Sequence, residues 1–244
     1  MNVLMLGRWL PVSRRLDEAS RELRFARELA AQHRLTLAFI TDDPDLAPSV
    51  SALRGEFADL EFAVVPRGWK CLSSAVSLAA GESGTLAYFR SAALSTRLAD
   101  RARTHRFDLC CVSSSSMIPY ALDLDPTIPI VVEFGDVDSQ WWLTKAGSAP
   151  SSLRARFYRT EATRLRMAEA AIACRAAACV VASPAAARVV ETLAPGVSVT
   201  VIPDGDARLQ PSREVSSAGL LTVVGSLLNG AGAPADPIAT QVAR

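Results

Sequence analysis

The 244-residue sequence has little of the chemistry that marks several common classes of protein. It contains only two histidines, His33 and His105, so a histidine-based metal site is not expected. Its five cysteines are an odd number without C-x-x-C spacing, which favours reduced thiols in a cytosol over a disulfide framework. Neither charge is in excess, because 26 basic residues oppose 25 acidic ones. The composition therefore gives no electrostatic sign of nucleic-acid binding.

The common phosphate-binding motifs are also missing. No G-x-G-x-x-G follows the first predicted strand, and no G-x-x-x-x-G-K-[ST] occurs, which argues against dinucleotide-dependent dehydrogenases and P-loop kinases. Four serines at residues 113–116 follow a predicted strand but lack the flanking glycines of a nucleophile elbow. We therefore expect a hydrogen-bonding loop there and not the nucleophile of a serine hydrolase.

Long uninterrupted apolar runs are absent as well. The short apolar run at the amino terminus has no basic region before it and is broken by Arg8 and Pro11, so a signal peptide is not expected. The longest alanine-rich stretch, residues 168–190, contains Glu169 and Arg175 and cannot span a bilayer. These features predict a cytoplasmic protein, with contact at the inner face of the membrane left open.

What the sequence does contain is an alternation of short β-branched apolar runs with helical patterns, in a chain that is 50% hydrophobic. Strands are predicted at residues 2–6, 35–41, 60–65, 107–113, 128–134, 177–182, 197–202 and 219–225. Helices are predicted at residues 18–32, 46–57, 72–80, 88–105, 152–175 and 184–193. This order predicts an α/β fold with a single Rossmann-like, doubly wound and mostly parallel sheet. The Gly/Pro-rich residues 226–244 are expected to be poorly ordered.

The segment IPIVVEFGDVDSQWW, residues 128–142, carries the most chemistry. An apolar strand is followed at its carboxyl end, where open α/β sheets bind ligands, by two carboxylates, a hydroxyl, an amide and two indoles. That mixture suits a sugar or another polyol. Either Asp136 or Asp138 could act as a general base if burial raised its pKa, and the two would point the same way only on an extended chain. An equally weighted interpretation is a cap for the next helix followed by two core tryptophans.

The motif D-x-D-S-Q-x-W at residues 136–142, together with Y-R-x-E at residues 158–161, resembles family 4 glycosyltransferases. The similarity covers roughly residues 8–228 and is strongest to sugar transferases associated with PEP-CTERM/exosortase exopolysaccharide systems. Such a resemblance implies a GT-B architecture, in which one Rossmann-like domain binds the acceptor and a second binds a nucleotide-sugar donor. This chain is similar to the first, acceptor-binding half.

The resemblance also implies roles for particular residues. Asp136 and Asp138 become the candidate catalytic residues, because the acceptor hydroxyl must lose a proton. The candidate substrate-binding residues are Arg21, Ser139, Gln140, Trp141, Arg159 and Glu161. Neither a metal nor a cofactor is expected, and a nucleotide sugar would serve as the donor substrate.

The resemblance divides the chain into an acceptor-binding domain at residues 1–218 and, at residues 219–244, either the start of a truncated donor domain or a disordered tail. The expected partners are a sugar or lipid-linked acceptor and a separate donor-domain protein. The expected function is acceptor binding in exopolysaccharide or glycoconjugate synthesis, and the isolated chain is expected to lack hexosyltransferase activity of its own.

The alternative is a non-catalytic binding module or a peripheral membrane module derived from a glycosyltransferase. Asp17 stands where the family usually has a glycine that lets backbone approach the donor phosphate, which favours loss of catalysis. Trp69, Lys70, the apolar residues 72–80 and the arginine-rich helix at residues 152–175 could instead face an anionic surface.

Overall fold

The computed structural model describes residues 1–8, 21–41, 50, 53–65, 77, 80–135, 137–202 and 213–228. The strands are β1 (Asn2–Gly7), β2 (Arg34–Thr41), β3 (Asp59–Val64), β4 (Leu109–Ser113), β5 (Ile130–Gly135), β6 (Ala178–Val181) and β7 (Val199–Val201). The α-helices are α1 (Arg21–Gln32), α2 (Gly84–Tyr88), α3 (Ala92–Thr104), α4 (Ile118–Leu122), α5 (Asp138–Gly147), α6 (Ser152–Arg175), α7 (Pro184–Leu193) and α8 (Arg213–Leu228). Single 3-10 turns occur at Leu53–Gly55 and Ser115–Met117.

The strands form one sheet in the order β3-β2-β1-β4-β5-β6-β7, and every neighbouring pair is parallel. The predicted Rossmann-like α/β fold is therefore confirmed. The chain builds outward from β1 in one direction to β3, and then from β4 in the other direction to β7. The helices that follow β1 and β4 consequently pack on opposite faces of the sheet, α1 on one and α4 on the other, and in open α/β sheets the carboxyl ends of two such strands are where a ligand crevice forms.

Both faces of the sheet are covered, which explains why its strands are almost continuously apolar in sequence. Along β1, Leu4 and Leu6 face a core that includes α3, α4, α6 and α7, whereas Val3 and Met5 face a core that includes α1 and α8. The side-chain alternation of an extended strand thus supplies both cores at once.

The predicted strand at residues 219–225 is wrong, since these residues lie within α8. Leu220 and Val224 are one helical turn apart and are both buried in the core that contains Leu23 and Leu29 of α1. The local β-branched composition is overridden by this packing against α1. Helix α8 also crosses the predicted domain boundary between residues 218 and 219, and the division itself remains a prediction.

Two other local predictions need correction. The helix predicted at residues 88–105 corresponds to α3 but begins later, at Ala92, because the Ser91 side chain accepts from the Leu94 amide and caps it, and Tyr88 is the last residue of α2. The loop predicted at residues 114–120 contains a 3-10 turn and the start of α4.

The helices predicted at residues 46–57 and 72–80 lie mostly outside the described residues. Of residues 226–244, which were expected to be poorly ordered, only 226–228 are described, and they belong to α8. Within the described ranges, no helix combines the length and the apolarity needed to cross a bilayer.

Candidate functional site

The candidate site lies at the carboxyl edge of the sheet, beside the ends of the neighbouring strands β1 and β4. Arg8 follows β1 directly, and its Nη1 atom donates to the Ser116 hydroxyl at 3.5 Å. The same guanidinium lies over the ring of Phe89, 5.4 Å from its centroid. Arg8 therefore spans the crevice from one central strand to the loop after the other, and it places a positive charge there.

The loop after β4 is built from three consecutive serines in an unusual backbone conformation. Ser114 has a φ of +85°, the one positive φ at a non-glycine residue in the described part of the chain. Its amide donates to the carbonyl oxygen of Glu133 at 3.3 Å, and its hydroxyl accepts from the Ser116 amide at 3.3 Å. The predicted hydrogen-bonding loop is confirmed. Positive-φ strain of this kind is retained mainly at functional sites, where neighbouring structure holds it in place.

Shortly after β5, the backbone turns into a helix that begins at Asp138. Gly135 adopts a φ of +58°, which suits glycine, and α5 begins at Asp138. Asp138 therefore does not continue the extended strand, so of the alternatives left open by sequence the turn holds for this residue. Its half-buried carboxylate lies at the amino end of α5, where the helix dipole stabilises a negative charge. Asp136 lies outside the described residues.

Glu169 of α6 connects the two loops of the candidate site. It is fully buried, and its Oε1 atom accepts from the Ser139 amide at 3.0 Å and from the Ser115 hydroxyl at 3.1 Å. One carboxylate thus ties the loop after β4 to the first turn of α5. Burial raises the pKa of Glu169, and the hydrogen bonds from Ser139 and Ser115 oppose that rise.

Glu161 of α6 has a comparable role at the start of α2. Its Oε1 atom accepts from the Ser83 hydroxyl at 2.6 Å and from the Thr85 amide at 2.9 Å, while Oε2 accepts from the Gly84 amide at 2.9 Å. Glu161 is 1% exposed. The structure therefore shows a cap for the amino end of α2, and substrate binding by Glu161 remains a prediction.

The predicted substrate-binding residues are only partly brought together. Ser139 is buried and Gln140 half-buried, and both lie with Asp138 in the first turn of α5. Arg159 is exposed and lies ten residues before Glu169, so it is about 15 Å away along α6. Arg21 is the first residue of α1, a different element that follows β1.

The alternative of two core tryptophans is wrong. Trp141 is 53% exposed. Trp142 is half-buried and packs against α6, with its ring centroid 6.3 Å from that of Phe157 and 5.4 Å from that of Tyr158. Trp141 in turn contacts Trp142 edge to face at 5.0 Å. The indoles therefore belong to an aromatic contact between α5 and α6 rather than to either core of the sheet.

Sequence reasoning missed Arg8 and Glu169. For Arg8 a signal existed, since it lies two residues after the first predicted strand, at residues 2–6, and is therefore expected near the carboxyl edge. For Glu169 the signal was weaker, because Glu161 and Glu169 are the two acids of an otherwise basic helix. Among the residues that the structure describes, no group of three or more histidine, cysteine or acidic side chains is placed to hold a metal.

No protein-family model matches the sequence, and no curated protein matches it either. A solved sucrose-phosphate synthase from Thermosynechococcus elongatus is similar in structure, with a TM-score of 0.53 and 11% identity over 93% of this chain and 99% of that one. The fold is shared with that glycosyltransferase. At this identity the likeness concerns the fold alone, and the narrower resemblance to family 4 and to exosortase-associated transferases remains a prediction.

Two plant glucosyltransferase structures match more loosely, both with a TM-score of 0.44. One is UGT2 of Phytolacca americana, at 12% identity over 83% of this chain and 54% of its own. The other is a UDP-glucosyltransferase of Polygonum tinctorium, at 14% identity over 87% of this chain and 56% of its own. The chain thus spans about half the length of these two proteins.

Proposed function

We propose that this chain is the acceptor-binding lobe of a glycosyltransferase that acts in exopolysaccharide or glycoconjugate synthesis. The observation that carries the proposal is the convergence of Arg8, the serine loop at residues 114–116 and the start of α5 on one edge of a glycosyltransferase-like sheet. That edge is where ligands bind in open α/β sheets, at the point where the strand order reverses.

The groups at this edge match the needs of a polyol acceptor. Serine hydroxyls donate and accept hydrogen bonds, as sugar hydroxyls do, so the half-buried Ser113 and Ser114 at the end of β4 can exchange bonds with a saccharide, while the buried Ser115 and Ser116 hold the loop in place. Arg8 supplies a cation that suits the phosphate of a lipid-linked acceptor or of a nucleotide-sugar donor. Asp138 supplies a carboxylate that can accept the proton of the attacking hydroxyl. Asp136, two residues earlier in sequence, is the other candidate for this role.

The donor side of the reaction would come from a second lobe. GT-B enzymes bind the nucleotide sugar in a separate Rossmann-like domain, and the proposed partner is a protein that carries that domain. In this arrangement the present chain orients the acceptor hydroxyl, and the partner holds the sugar whose anomeric carbon is attacked. Asp138 would remove the hydroxyl proton as the new glycosidic bond forms and the nucleoside diphosphate leaves.

A non-catalytic saccharide-binding lobe is the second candidate. It is favoured by the engagement of two carboxylates near this edge, Glu161 and Glu169, in contacts that hold helices and loops in place. Sugar transfer in the presence of a donor-lobe protein separates the two candidates, because a binding lobe supports acceptor binding without transfer.

Replacing Arg8 with alanine is expected to weaken binding of a sugar phosphate about 10-fold to 100-fold, since a charged hydrogen bond to a phosphate oxygen is lost. Titration calorimetry of the full chain with glucose 1-phosphate and with short oligosaccharides measures the change. Arg188→Ala is the matched control, because Arg188 is exposed on α7. Equal affinities for the two variants, or no binding of any saccharide by the unmodified chain, would contradict the proposed function.

A further inference from the structure

Helices α5 and α6 form a hairpin that extends beyond the carboxyl edge of the sheet. Helix α6 has 24 residues and is therefore about 36 Å long, whereas a six-residue strand such as β5 spans about 20 Å. Glu169 marks the level of the sheet edge, because it binds the loop after β4. Ser152, at the start of α6, lies about 25 Å farther along the helix axis. The turn at residues 148–151 is thus the far end of a projection from the candidate site's edge.

The hairpin carries large apolar side chains that are exposed along its length. Leu153 is 80% exposed, Trp141 is 53% exposed and Phe157 is 43% exposed. Leu153 and Phe157 are one turn apart on α6, and Phe157 connects to Trp141 through the ring of Trp142. An open groove of about 940 Å³ lined by Leu153, Phe157 and Tyr158 runs along the same part of α6. We call Trp141, Leu153, Phe157 and the neighbouring basic side chains the hairpin surface.

Within the hairpin segment itself, residues 141–167, the exposed charge is of one sign. Between residues 141 and 167 the basic residues are Lys145, Arg154, Arg156, Arg159, Arg164 and Arg166. The one acid in that segment, Glu161, is buried in the cap of α2. The ammonium of Lys145 lies 4.6 Å from the centroid of the Trp141 ring, so cation and indole are presented together. A chain with a net charge of only +1 therefore concentrates positive charge on this projection.

We propose that the hairpin surface docks on an anionic lipid bilayer. Exposed tryptophan, phenylalanine and leucine side chains flanked by lysine and arginine are the composition that partitions into the headgroup region of such a bilayer. Each basic side chain near the surface adds electrostatic attraction to acidic lipids. A projecting surface can contact a planar bilayer directly, because a bilayer needs no cavity of matching shape to receive it.

Docking in this way has a consequence for the candidate site, and this consequence alone rests on the proposed function. The hairpin projects from the same edge that holds Arg8 and Ser116, so the candidate site would face the membrane. A lipid-linked acceptor would then be presented to the site from the bilayer.

Sedimentation of the full chain with lipid vesicles tests the docking. The chain is expected to sediment with phosphatidylcholine vesicles that contain phosphatidylglycerol, to be released by added salt, and not to sediment with pure phosphatidylcholine. Arg154→Gln/Arg156→Gln is expected to lower vesicle affinity about 10-fold to 30-fold. The matched variant Arg103→Gln/Arg188→Gln, on exposed positions of α3 and α7, removes the same charge and is expected to change affinity by less than about 2-fold.

A second pair of variants locates the apolar contact. Leu153→Ser is expected to lower vesicle affinity about 5-fold. The control is Met167→Ser, because Met167 is 70% exposed and lies about 21 Å farther along α6. This control variant is expected to bind vesicles as tightly as the unmodified chain. Circular dichroism of each variant establishes that it is folded. The proposal is overturned if the unmodified chain does not bind anionic vesicles, or if the paired variants lose binding equally. It is also overturned if the hairpin surface instead forms a dimer that Leu153→Ser dissociates, or binds single-stranded RNA without binding lipid.

Discussion

Replacing Glu161 with alanine is expected to lower the free energy of unfolding by about 3 kcal/mol. The substitution removes three hydrogen-bond acceptor contacts and leaves the Ser83 hydroxyl and the Gly84 and Thr85 amides without the partner they have now. Because Ser83 and Gly84 are buried, water cannot fully replace the carboxylate. Urea unfolding followed by circular dichroism measures the loss.

Two further variants make the Glu161 result specific. Glu161→Gln keeps one acceptor oxygen and is expected to lose about half as much stability as Glu161→Ala. Glu191→Ala removes an exposed glutamate from α7 and is expected to change stability by less than about 0.5 kcal/mol. If Glu161→Ala and Glu191→Ala gave the same result, the carboxylate cap of α2 would not be a stabilising contact.

Glu169 is expected to make the stability of the fold depend on pH. Burial raises its pKa in the folded state above the ordinary value of 4.5, so the folded chain holds this proton more tightly than the unfolded chain does. The stability that the group contributes is therefore fully present below about pH 4.5 and is lost as the pH rises through the folded-state pKa. Glu169→Gln keeps an acceptor for the Ser139 amide but cannot ionise. The variant is expected to gain stability relative to the unmodified chain as the pH is raised.

Urea unfolding of both chains from about pH 4 to about pH 8 measures this difference. Glu191→Gln is the matched control, and its difference from the unmodified chain is expected to stay nearly constant with pH. A constant difference for Glu169→Gln as well, or one that runs in the opposite direction, would contradict a raised pKa at this buried carboxyl group.

Both predictions assign an organising role to α6. Its two glutamates reach elements that are far away in sequence, since Glu161 binds Ser83 and Glu169 binds Ser115. The same helix therefore fixes the start of α2, the loop after β4 and the start of α5. A substitution at Glu169 is expected to disturb the candidate site as well as the stability of the fold, because two of these three elements form the site.

The elements that could be predicted from sequence are those with a strong local pattern. Helix α6 has the predicted bounds, Ser152–Arg175, because Ser151 supplies its cap and no proline or glycine interrupts it. Helix α7 also has its predicted bounds, Pro184–Leu193, since Ser183 caps it and proline suits its first turn. The strands were recognisable because strands that are buried on both faces contain few polar residues.

What escaped prediction depends on contacts between distant residues or on unusual backbone conformations. Residues 219–225 have the composition of a strand, and only packing against α1 makes them helical. The hydrogen bonds from Ser83 to Glu161 and from Ser115 to Glu169 join residues 78 and 54 positions apart, so no local pattern shows them. The positive φ of Ser114 cannot be deduced from a run of four serines. The predicted strands place the residues that follow them at the carboxyl edge, but they do not show which groups each buried carboxylate contacts.

We infer that the carboxyl edge of the sheet at β1 and β4 binds a saccharide acceptor. Amide chemical-shift mapping of the isotope-labelled chain during titration with oligosaccharides and glucose 1-phosphate tests it most directly. We expect the shifts to concentrate at Arg8, at residues 114–116 and at residues 138–140. Shifts confined to the opposite edge of the sheet, near Asn2 and Asp108, or no shifts at any saccharide concentration, would contradict it.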